Sequence, residues 1–316
     1  NKWSQDALDH WGPIASELRE LTGVDVDLQQ SGGFWIGFSE KEVVEREAML
    51  AKINADGRTP FEMLDHQALK ARLPAIGPKV AGGSWCPLDG HANPLKLLYA
   101  LHAGIKALGG RICSGVDVGE VRSLGGGRGF QAKSSDGRRW SGTKIVLAAG
   151  LSNNALAPQL GLHAPVLPKR GQVLITERLK KFLPHPTNKA RQTAEGTVQL
   201  GFSAEDVGLD DGTTVEAIES IAKRSVATFP ILSSVKLVRA WGSLRVLTPD
   251  GSPVYQESAQ YPGAFTATSH SGVSLAGSHA YEISPWIAGV KPAPDGIGEF
   301  AGERFLDPNR KFSNAY

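Results

Sequence analysis

Two residues in the last third of the chain, Arg245 and His270, have side chains suited to binding a small polar molecule. Arg245 ends a run typical of a strand and precedes a Thr-Pro-Asp-Gly turn. An arginine at a strand end can pair with a carboxylate through two parallel hydrogen bonds. His270 lies in a turn, where it could contact a ligand. The alternative interpretations are a surface arginine and a solvated histidine.

The turn that contains His270 also offers backbone groups. Residues 268–275 read Thr-Ser-His-Ser-Gly-Val-Ser-Leu, which predicts a strand end, a polar turn and a helix start. Because the first N–H groups of a helix have no partner within it, they can bind a carbonyl oxygen or an anion. Residues 145–150, an apolar strand ending Ala-Ala-Gly, predict a second such turn, although a buried core strand would look the same.

A glycine-rich segment at residues 124–129 is interpreted as a hairpin turn. A dinucleotide-binding loop needs glycines at its first, third and sixth positions, between a strand and a helix. Counted from Gly125, the sixth position is Phe130, and predicted strands flank the segment on both sides. The segment therefore predicts no phosphate site.

The elements that must position these residues mix helices and strands. Asn93 and the proline after it predict the start of a long amphipathic helix. A short strand is predicted at residues 111–113. A last helix is predicted from Ser274 to about Ser284, because Pro285 should stop it. The tail from Val290 is rich in Pro and Gly and is expected to wrap the surface. The pattern predicts a mixed class, α/β and α+β.

Composition narrows the function classes. The 316 residues include 41% hydrophobic and 21% charged residues, and the net charge of +2 does not suggest a nucleic-acid partner. No apolar run approaches the length of a transmembrane segment. Cys86 and Cys113 have neither metal-site spacing nor a disulfide framework, so we expect two small buried side chains. A reducing cytoplasm is the expected location.

In their order along the chain, these motifs resemble the D-amino-acid oxidase-like flavoprotein superfamily. After the Ala-Ala-Gly strand comes Pro-x-(Lys/Arg)-Gly-Gln at residues 168–172. A Trp-x-Gly-Leu-Arg-x-x-(Ser/Thr)-Pro-Asp-x-x-Pro stretch follows at 241–253, and a His-(Ser/Thr)-Gly-(Val/Ile) turn at 270–273. Asp89 and Pro94 match the Asp-x-x-x-x-Pro that opens the family's long helix. Within the superfamily, the chain most resembles the bacterial group of glycine oxidase, the catalytic subunits of hydrogen cyanide synthase and opine oxidase, and D-hydroxyproline dehydrogenase.

The resemblance implies FAD as cofactor and an FAD-binding Rossmann-like domain interleaved with an antiparallel-sheet substrate domain. Residues 1–80 would form a helical part and the start of the substrate domain, and residues 81–165 mainly the FAD-binding domain. Residues 166–245 would form mainly the substrate domain, and residues 246–316 the FAD-binding domain and a C-terminal tail.

The resemblance also implies roles for individual residues. Arg245 would hold the substrate carboxylate, and His270 occupies a place where some relatives carry a second arginine. The cofactor-binding residues would act through the backbone: Val118 near the adenine, Ala149 and Gly150 near the ADP part, and Ser271, Gly272, Val273 and Ser274 facing the flavin ring.

The chain departs from the family pattern at three places. Ser243 stands where relatives usually have glycine beside the flavin, and Tyr255 where a glycine is common. The family's opening strand, Gly-x-Gly-x-x-Gly turn and helix, which supply the pyrophosphate site, are not in this sequence. We expect that the sequence is part of a longer polypeptide; a segment on another chain, or a protein without FAD, are the alternatives.

The activity that the resemblance implies is oxidation of a C–N bond next to a carboxylate, in a small amino acid or amine substrate. Three other functions stay open: a 2-hydroxy-acid dehydrogenase, a non-catalytic or electron-relay subunit of a hetero-oligomeric dehydrogenase, and a binding module without cofactor. Partner subunits, a separate electron acceptor and a homo-oligomer are also left open.

Overall fold

The computed structural model describes residues 2–54, 57 and 59–309. Side chains cap several of its helices. Ser39, Asp65 and Thr214 each accept a hydrogen bond from the backbone N–H three residues later, which satisfies a donor that the first helical turn leaves free. The α-helices are α1 Lys2–Thr22, α2 Glu40–Ile53, α3 His66–Arg72, α4 Pro94–Ala107, α5 Asn153–Leu156, α6 Val215–Thr228, α7 Ala276–Ser278 and α8 Ser284–Ala288.

The strands are mostly short and separated by tight turns, as the high glycine content predicts. They are β1 Gly33–Gly37, β2 Glu62–Asp65, β3 Gly82–Cys86, β4 Val118–Ser123, β5 Phe130–Ser134, β6 Arg139–Gly142, β7 Ile145–Leu147, β8 Leu167–Arg178, β9 Ala190–Gln192, β10 Thr197–Gly201, β11 Leu237–Leu247, β12 Val254–Glu257 and β13 Ala264–Thr268.

The chain forms two compact units built from interleaved segments. The first comprises residues 1–107, 170–205 and 210–243, and the second comprises 108–169, 206–209 and 244–316. The mixed fold class and the interleaving expected from the sequence are therefore confirmed. Which unit holds a cofactor and which a substrate, with the domain limits given above, stays a prediction.

The first unit contains a sheet of order β1-β3-β2 and most of a sheet of order β11-β8-β10-β9, whose strands β8 and β11 each have three or four residues assigned to the second unit. Strand β3 pairs antiparallel with both β1 and β2, and β10 pairs antiparallel with both β8 and β9. Apolar residues of both sheets and of helices α3 and α6 share one core; its fully buried members include Ile36, Leu69, Leu174, Ile221 and Phe229.

Two further sheets, of orders β12-β13-β7 and β4-β5-β6, lie in the second unit. Strands β13 and β7 are parallel, whereas β12 and β13 are antiparallel. The segment at residues 124–129 joins β4 to β5, which pair antiparallel, so the hairpin interpretation is confirmed. A separate core of this unit includes Leu147, Ala157, Leu160, Val254 and Ala264.

Helix α4 follows the sequence prediction closely. The side-chain oxygen of Asn93 accepts hydrogen bonds from the N–H groups of Leu95 and Lys96, at 3.2 and 3.3 Å. Residues 111–113, in contrast, form no strand, so that prediction was wrong. Only three residues separate this stretch from Asp117, and Gly115 turns the chain with a φ of +64°, which leaves no extended neighbour to pair with.

The last helix does not end near Ser284, as we expected. Residues His279–Ile283 form a π-helical turn, and α8 continues through Pro285 to Ala288. Pro285 lies at the first turn of α8, where its missing N–H costs little because the wider π turn has already broken the regular hydrogen-bond ladder. The helix ends instead at Gly289, whose φ is +81°.

Two other expectations also need correction. The tail does more than wrap the surface: short 3₁₀ helices at Ile297–Phe300 and Gly302–Phe305 bury Phe300 and Arg304. Cys86 is buried as expected, but Cys113 is exposed because the strand predicted around it does not form. Within the described residues, no helix combines the length and apolar character that crossing a bilayer would require.

Candidate functional site

The candidate site lies at one edge of the sheet β12-β13-β7. Ile145, Val146 and Leu147 pair in parallel register with residues 264–266, and the Thr266 hydroxyl donates to the carbonyl oxygen of Leu147 at 3.2 Å. Because parallel strands end at the same edge, the turn after β7 and the turn after β13 meet there. This edge is where open α/β sheets bind ligands.

The turn after β13 presents unpaired backbone donors. Ser271, Gly272, Val273 and Ser274 are exposed, and no described residue accepts a hydrogen bond from the N–H of Gly272, Val273 or Ser274. A hydrogen bond within the turn stabilises it: the N–H of Leu275 donates to the carbonyl oxygen of Ser271 at 2.9 Å. Free N–H groups in a fixed turn suit an anionic or carbonyl oxygen such as a flavin ring carries, so these residues fit FAD.

The turn after β7 is formed by Ala149 and Gly150. The N–H of Ala149 donates to the side chain of the buried Asn153 at 3.2 Å, which fixes the turn. Gly150 has a φ of +57°, and a Cβ there would stand 3.4 Å from Val246. A side chain at residue 150 would therefore be strained, and its absence leaves the backbone accessible.

Arg245 and His270 lie close enough to interact electrostatically. Desolvation by burial lowers the pKa of His270, and the positive charge of Arg245 lowers this pKa further. Both side chains are half-buried. Because its pKa is lowered, His270 adds no second positive charge beside the permanently charged Arg245, and the charge of Arg245 favours an anionic group.

Arg245 does not end its strand, as the sequence indicated. It lies inside β11, which continues through Val246 and Leu247 because these apolar residues extend the strand pattern. Val118 is the first residue of β4, is half-buried, and pairs with Ser134. All nine residues singled out in the sequence lie in the second unit, but their contacts with a cofactor or a substrate stay predictions.

A buried pair that the sequence did not indicate lies behind the turn. The hydroxyl of Tyr255 is 2.6 Å from Nε2 of His279, and Tyr255 is only 2% exposed. Burial raises the pKa of Tyr255, although a hydrogen bond with Ser269 opposes this effect, and burial lowers the pKa of His279. The sequence could have suggested that Tyr255 is a core residue, but its spacing from His279 does not indicate that the two side chains form a hydrogen bond.

The turn that follows β11 is fixed by Arg304, also missed in the sequence. Arg304 Nε donates to Asp250 at 2.8 Å and Nη2 donates to the same carboxylate at 3.0 Å. It also donates hydrogen bonds to the carbonyl oxygens of Phe300, Ala301, Ser252 and Pro253. The Thr-Pro-Asp-Gly motif is therefore anchored to the C-terminal 3₁₀ helices.

The Pro-x-(Lys/Arg)-Gly-Gln motif has a structural explanation in the first unit. Arg170 is 3% exposed and makes ion pairs with Glu205 at 2.6 Å and Asp210 at 2.5 Å. Gln172 donates to Glu205 at 2.9 Å and accepts from the N–H of Thr214 at 2.9 Å. The two motif side chains thus tie β8 to the segment before α6.

Comparison with known proteins agrees with this arrangement. A family model described as "DAO: FAD dependent oxidoreductase" matches residues 1–286. An opine oxidase subunit of Agrobacterium tumefaciens is 37% identical over 308 residues, which are 96% of this chain and 81% of that protein. Glycine oxidase of Pseudomonas putida is 26% identical over 304 residues, 93% of this chain and 79% of the relative.

The fold also matches a solved structure. The crystal structure of glycine oxidase from Geobacillus kaustophilus superposes with a TM-score of 0.86 at 20% identity, and the match covers 95% of this chain and 82% of that one. Within the described residues, no cluster of His, Cys, Asp and Glu could hold a metal ion.

Proposed function

We propose, from the premise that the chain belongs to the DAO family of FAD dependent oxidoreductases, that it oxidises the C–N bond next to a carboxylate in an amino acid or secondary amine. The observation that carries the proposal is the charge of Arg245 beside a neutral His270. Arg245 would bind a carboxylate through its charge, and the N–H groups of residues 272–274 lie in the same turn as His270.

The substrate class that we favour is an opine, in which the nitrogen of an amino acid is bonded to the α-carbon of a second carboxylic acid. The 37% identity to an opine oxidase supports this choice. An opine carries a carboxylate on each side of its secondary amine. Arg245 would bind the carboxylate on the side that is oxidised, and His270, being neutral, would donate or accept a hydrogen bond without repelling the amine.

The chain's own contribution to the reaction is positional. FAD, when bound, supplies the hydride acceptor for the α-carbon. Arg245 would fix the α-carbon through its carboxylate, and fixed orientation alone contributes much of a rate enhancement. The N–H groups of Gly272, Val273 and Ser274 would stabilise negative charge on the ring that they face. Ala149 and Gly150 would contact the ADP part, and Val118 the adenine, through the backbone.

We also propose that the protein works with partner subunits or a separate electron acceptor. The relative of 37% identity is named as a subunit, which supports an assembly of different chains. A homo-oligomer is a further arrangement to test. The proposed location is the cytoplasm, as the thiols of Cys86 and Cys113 are unpaired among the described residues.

Anaerobic flavin reduction tests the proposal. The purified full-length protein is mixed with an opine, glycine, D-proline, a D-amino acid or a 2-hydroxy acid, and the visible absorbance of the oxidised flavin is followed. We expect rapid bleaching by the opine and slower bleaching by the amino acids. Bleaching by the 2-hydroxy acid alone would contradict C–N oxidation, and a protein without flavin absorbance would contradict the catalytic role.

A further inference from the structure

A polar cavity lies in the first unit. It has a volume of about 280 Å³ and is lined by β1, β3, the segment 186–188 and the side chains of Arg46 and Asp89. Phe34, which lines the cavity, is held by ring packing: its centroid lies 4.4 Å from that of Trp85, and His185 packs against both rings. The volume is close to the lower end of the range for ligand pockets, about 300–1,000 Å³.

Arg46 reaches this cavity from helix α2 with its charge incompletely satisfied. Its Nε donates to the hydroxyl of the buried Ser84 at 3.2 Å. Its guanidinium carbon lies 5.5 Å from the ring centroid of Trp35 and 6.0 Å from that of Phe61. No described residue accepts a hydrogen bond from its two terminal nitrogens. Desolvation by burial lowers the pKa of Arg46, so the cavity disfavours the unpaired charge.

Asp89 brings the opposite charge into the same cavity. Desolvation raises the pKa of Asp89, and its hydrogen bond from Gly90 and the charge of Arg46 oppose this effect without cancelling it. The ion pairs among the described residues do not include one between Asp89 and Arg46. The two opposite charges thus share one cavity while neither neutralises the other by direct contact.

The backbone holds Asp89 in this position. Its carbonyl oxygen accepts from the N–H of Gly32 at 2.9 Å, and its own N–H donates to Cys86 at 3.3 Å. A Cβ at Gly33 would stand 3.0 Å from the Asp89 side chain, so the glycine leaves the space that this carboxylate occupies. The arrangement is therefore preorganised, and the cavity does not have to form when a ligand arrives.

We propose that this cavity binds a small zwitterionic α-amino acid, with its carboxylate on the terminal nitrogens of Arg46 and its ammonium group on Asp89. An amino acid pairs at once with the half-buried charge of Arg46 and with the carboxylate of Asp89, a residue that is exposed at one side of the cavity. A simple anion would leave Asp89 unpaired beside it, and a simple amine would leave Arg46 unpaired. The residues that line this cavity belong to the first unit, whereas Arg245 and His270 belong to the second.

Saturation-transfer NMR tests the proposal with glycine and L-alanine as probes, and with acetate and ethylamine as the two half-ligands. The protein carries Arg245→Ala, so that the carboxylate site of the proposed function does not contribute. We expect transfer to both amino acids and little to either half-ligand. Adding Arg46→Gln or Asp89→Asn should weaken binding by roughly tenfold or more, whereas Arg122→Gln on β4 should not. Saturation transfer to acetate as strong as that to the amino acids, in the presence and absence of Asp89→Asn, would overturn the zwitterion assignment.

A local measurement without substitutions supplements this test. Cys86 lines the cavity, whereas Cys113 is exposed elsewhere. Alkylation of both thiols is followed by peptide mass spectrometry, and Cys113 serves as internal reference. We expect L-alanine to slow modification of Cys86 at least severalfold relative to Cys113. Equal rates with and without the amino acid, together with no saturation transfer, would overturn the proposal; substrate-driven flavin bleaching by the Arg46→Gln protein would show that the proposed function stands independently.

Discussion

The hydroxyl of Tyr255 lies 2.6 Å from Nε2 of His279, and this pair joins strand β12 to the helical segment that follows the turn at residues 270–275. Ser269, just before that turn, hydrogen-bonds with the same tyrosine. The turn is therefore held at both of its ends by one buried side chain. Its free N–H groups keep a fixed direction for this reason.

Tyr255→Phe removes the hydroxyl and keeps the ring. We expect the free energy of unfolding to fall by about 1–3 kcal/mol, because His279 and Ser269 lose their partner in a buried place. Denaturant unfolding measures the loss. Tyr261→Phe, at a more exposed tyrosine, is the control and should change stability by less than about 0.5 kcal/mol. Equal stabilities for the two variants would contradict a structural role for the Tyr255 hydroxyl.

His279 should make stability depend on pH. Burial lowers the pKa of His279 in the folded protein, so below about pH 6.5 the unfolded chain binds a proton that the folded chain does not. Stability is then lost as the pH falls from about 6.5 toward the lowered pKa. His279→Gln should therefore give a shallower loss across this window. The exposed His102→Gln is the control, and identical slopes in the His279→Gln and wild-type proteins would contradict the prediction.

Arg304→Met should be strongly destabilising. It leaves the Asp250 carboxylate and several carbonyl oxygens without their donor, at a cost of about 3–5 kcal/mol. Burial alone would raise the pKa of Asp250, but hydrogen bonds led by those from Arg304 hold it below its usual value. Adding Asp250→Leu to Arg304→Met should recover part of the loss in a double-mutant cycle, since no buried charge then stays unpaired. Strictly additive losses would argue against this ion pair.

Arg245→Ala tests the carboxylate clamp in the flavin-containing protein. We expect kcat/KM for the preferred amine to fall by roughly 30–150-fold, which corresponds to about 2–3 kcal/mol for a hydrogen bond to a charged group. Arg245→Lys should recover part of this loss, because it keeps the charge but not the paired geometry. Arg239→Ala, at another β11 arginine, is the control. Unchanged kinetics in Arg245→Ala would remove Arg245 from the site.

Local signals predicted a large part of this fold. Asn93 caps the helix that follows it, and the glycines within residues 125–129 allow a tight turn between adjacent strands. Both effects depend only on nearby residues, so helix α4 and the β4–β5 hairpin could be predicted. The strand before Gly150 and the turn after His270 were predicted for the same reason. Their meeting at one edge follows from the parallel pairing of β7 and β13, which the spacing alone does not specify.

Contacts between distant residues could not be predicted. Tyr255 and His279 are 24 positions apart, and Arg304 and Asp250 are 54 apart. No periodicity in the sequence connects such residues, because only the tertiary fold brings them together. Pro285 is a case in which a local signal misleads. A proline usually ends the helix before it, but here the π turn at residues 279–283 has already interrupted the regular hydrogen bonds, so the helix can continue.

The hairpin turn at residues 124–129 has a practical consequence. Gly125, Gly126 and Gly127 all have positive φ, and a Cβ at any of them would meet open space. Surface turns without packing partners are the places where chains tolerate extra residues. A short peptide for labelling or affinity capture can therefore be inserted here. Such a tag would allow the protein to be isolated together with the other chains that it binds.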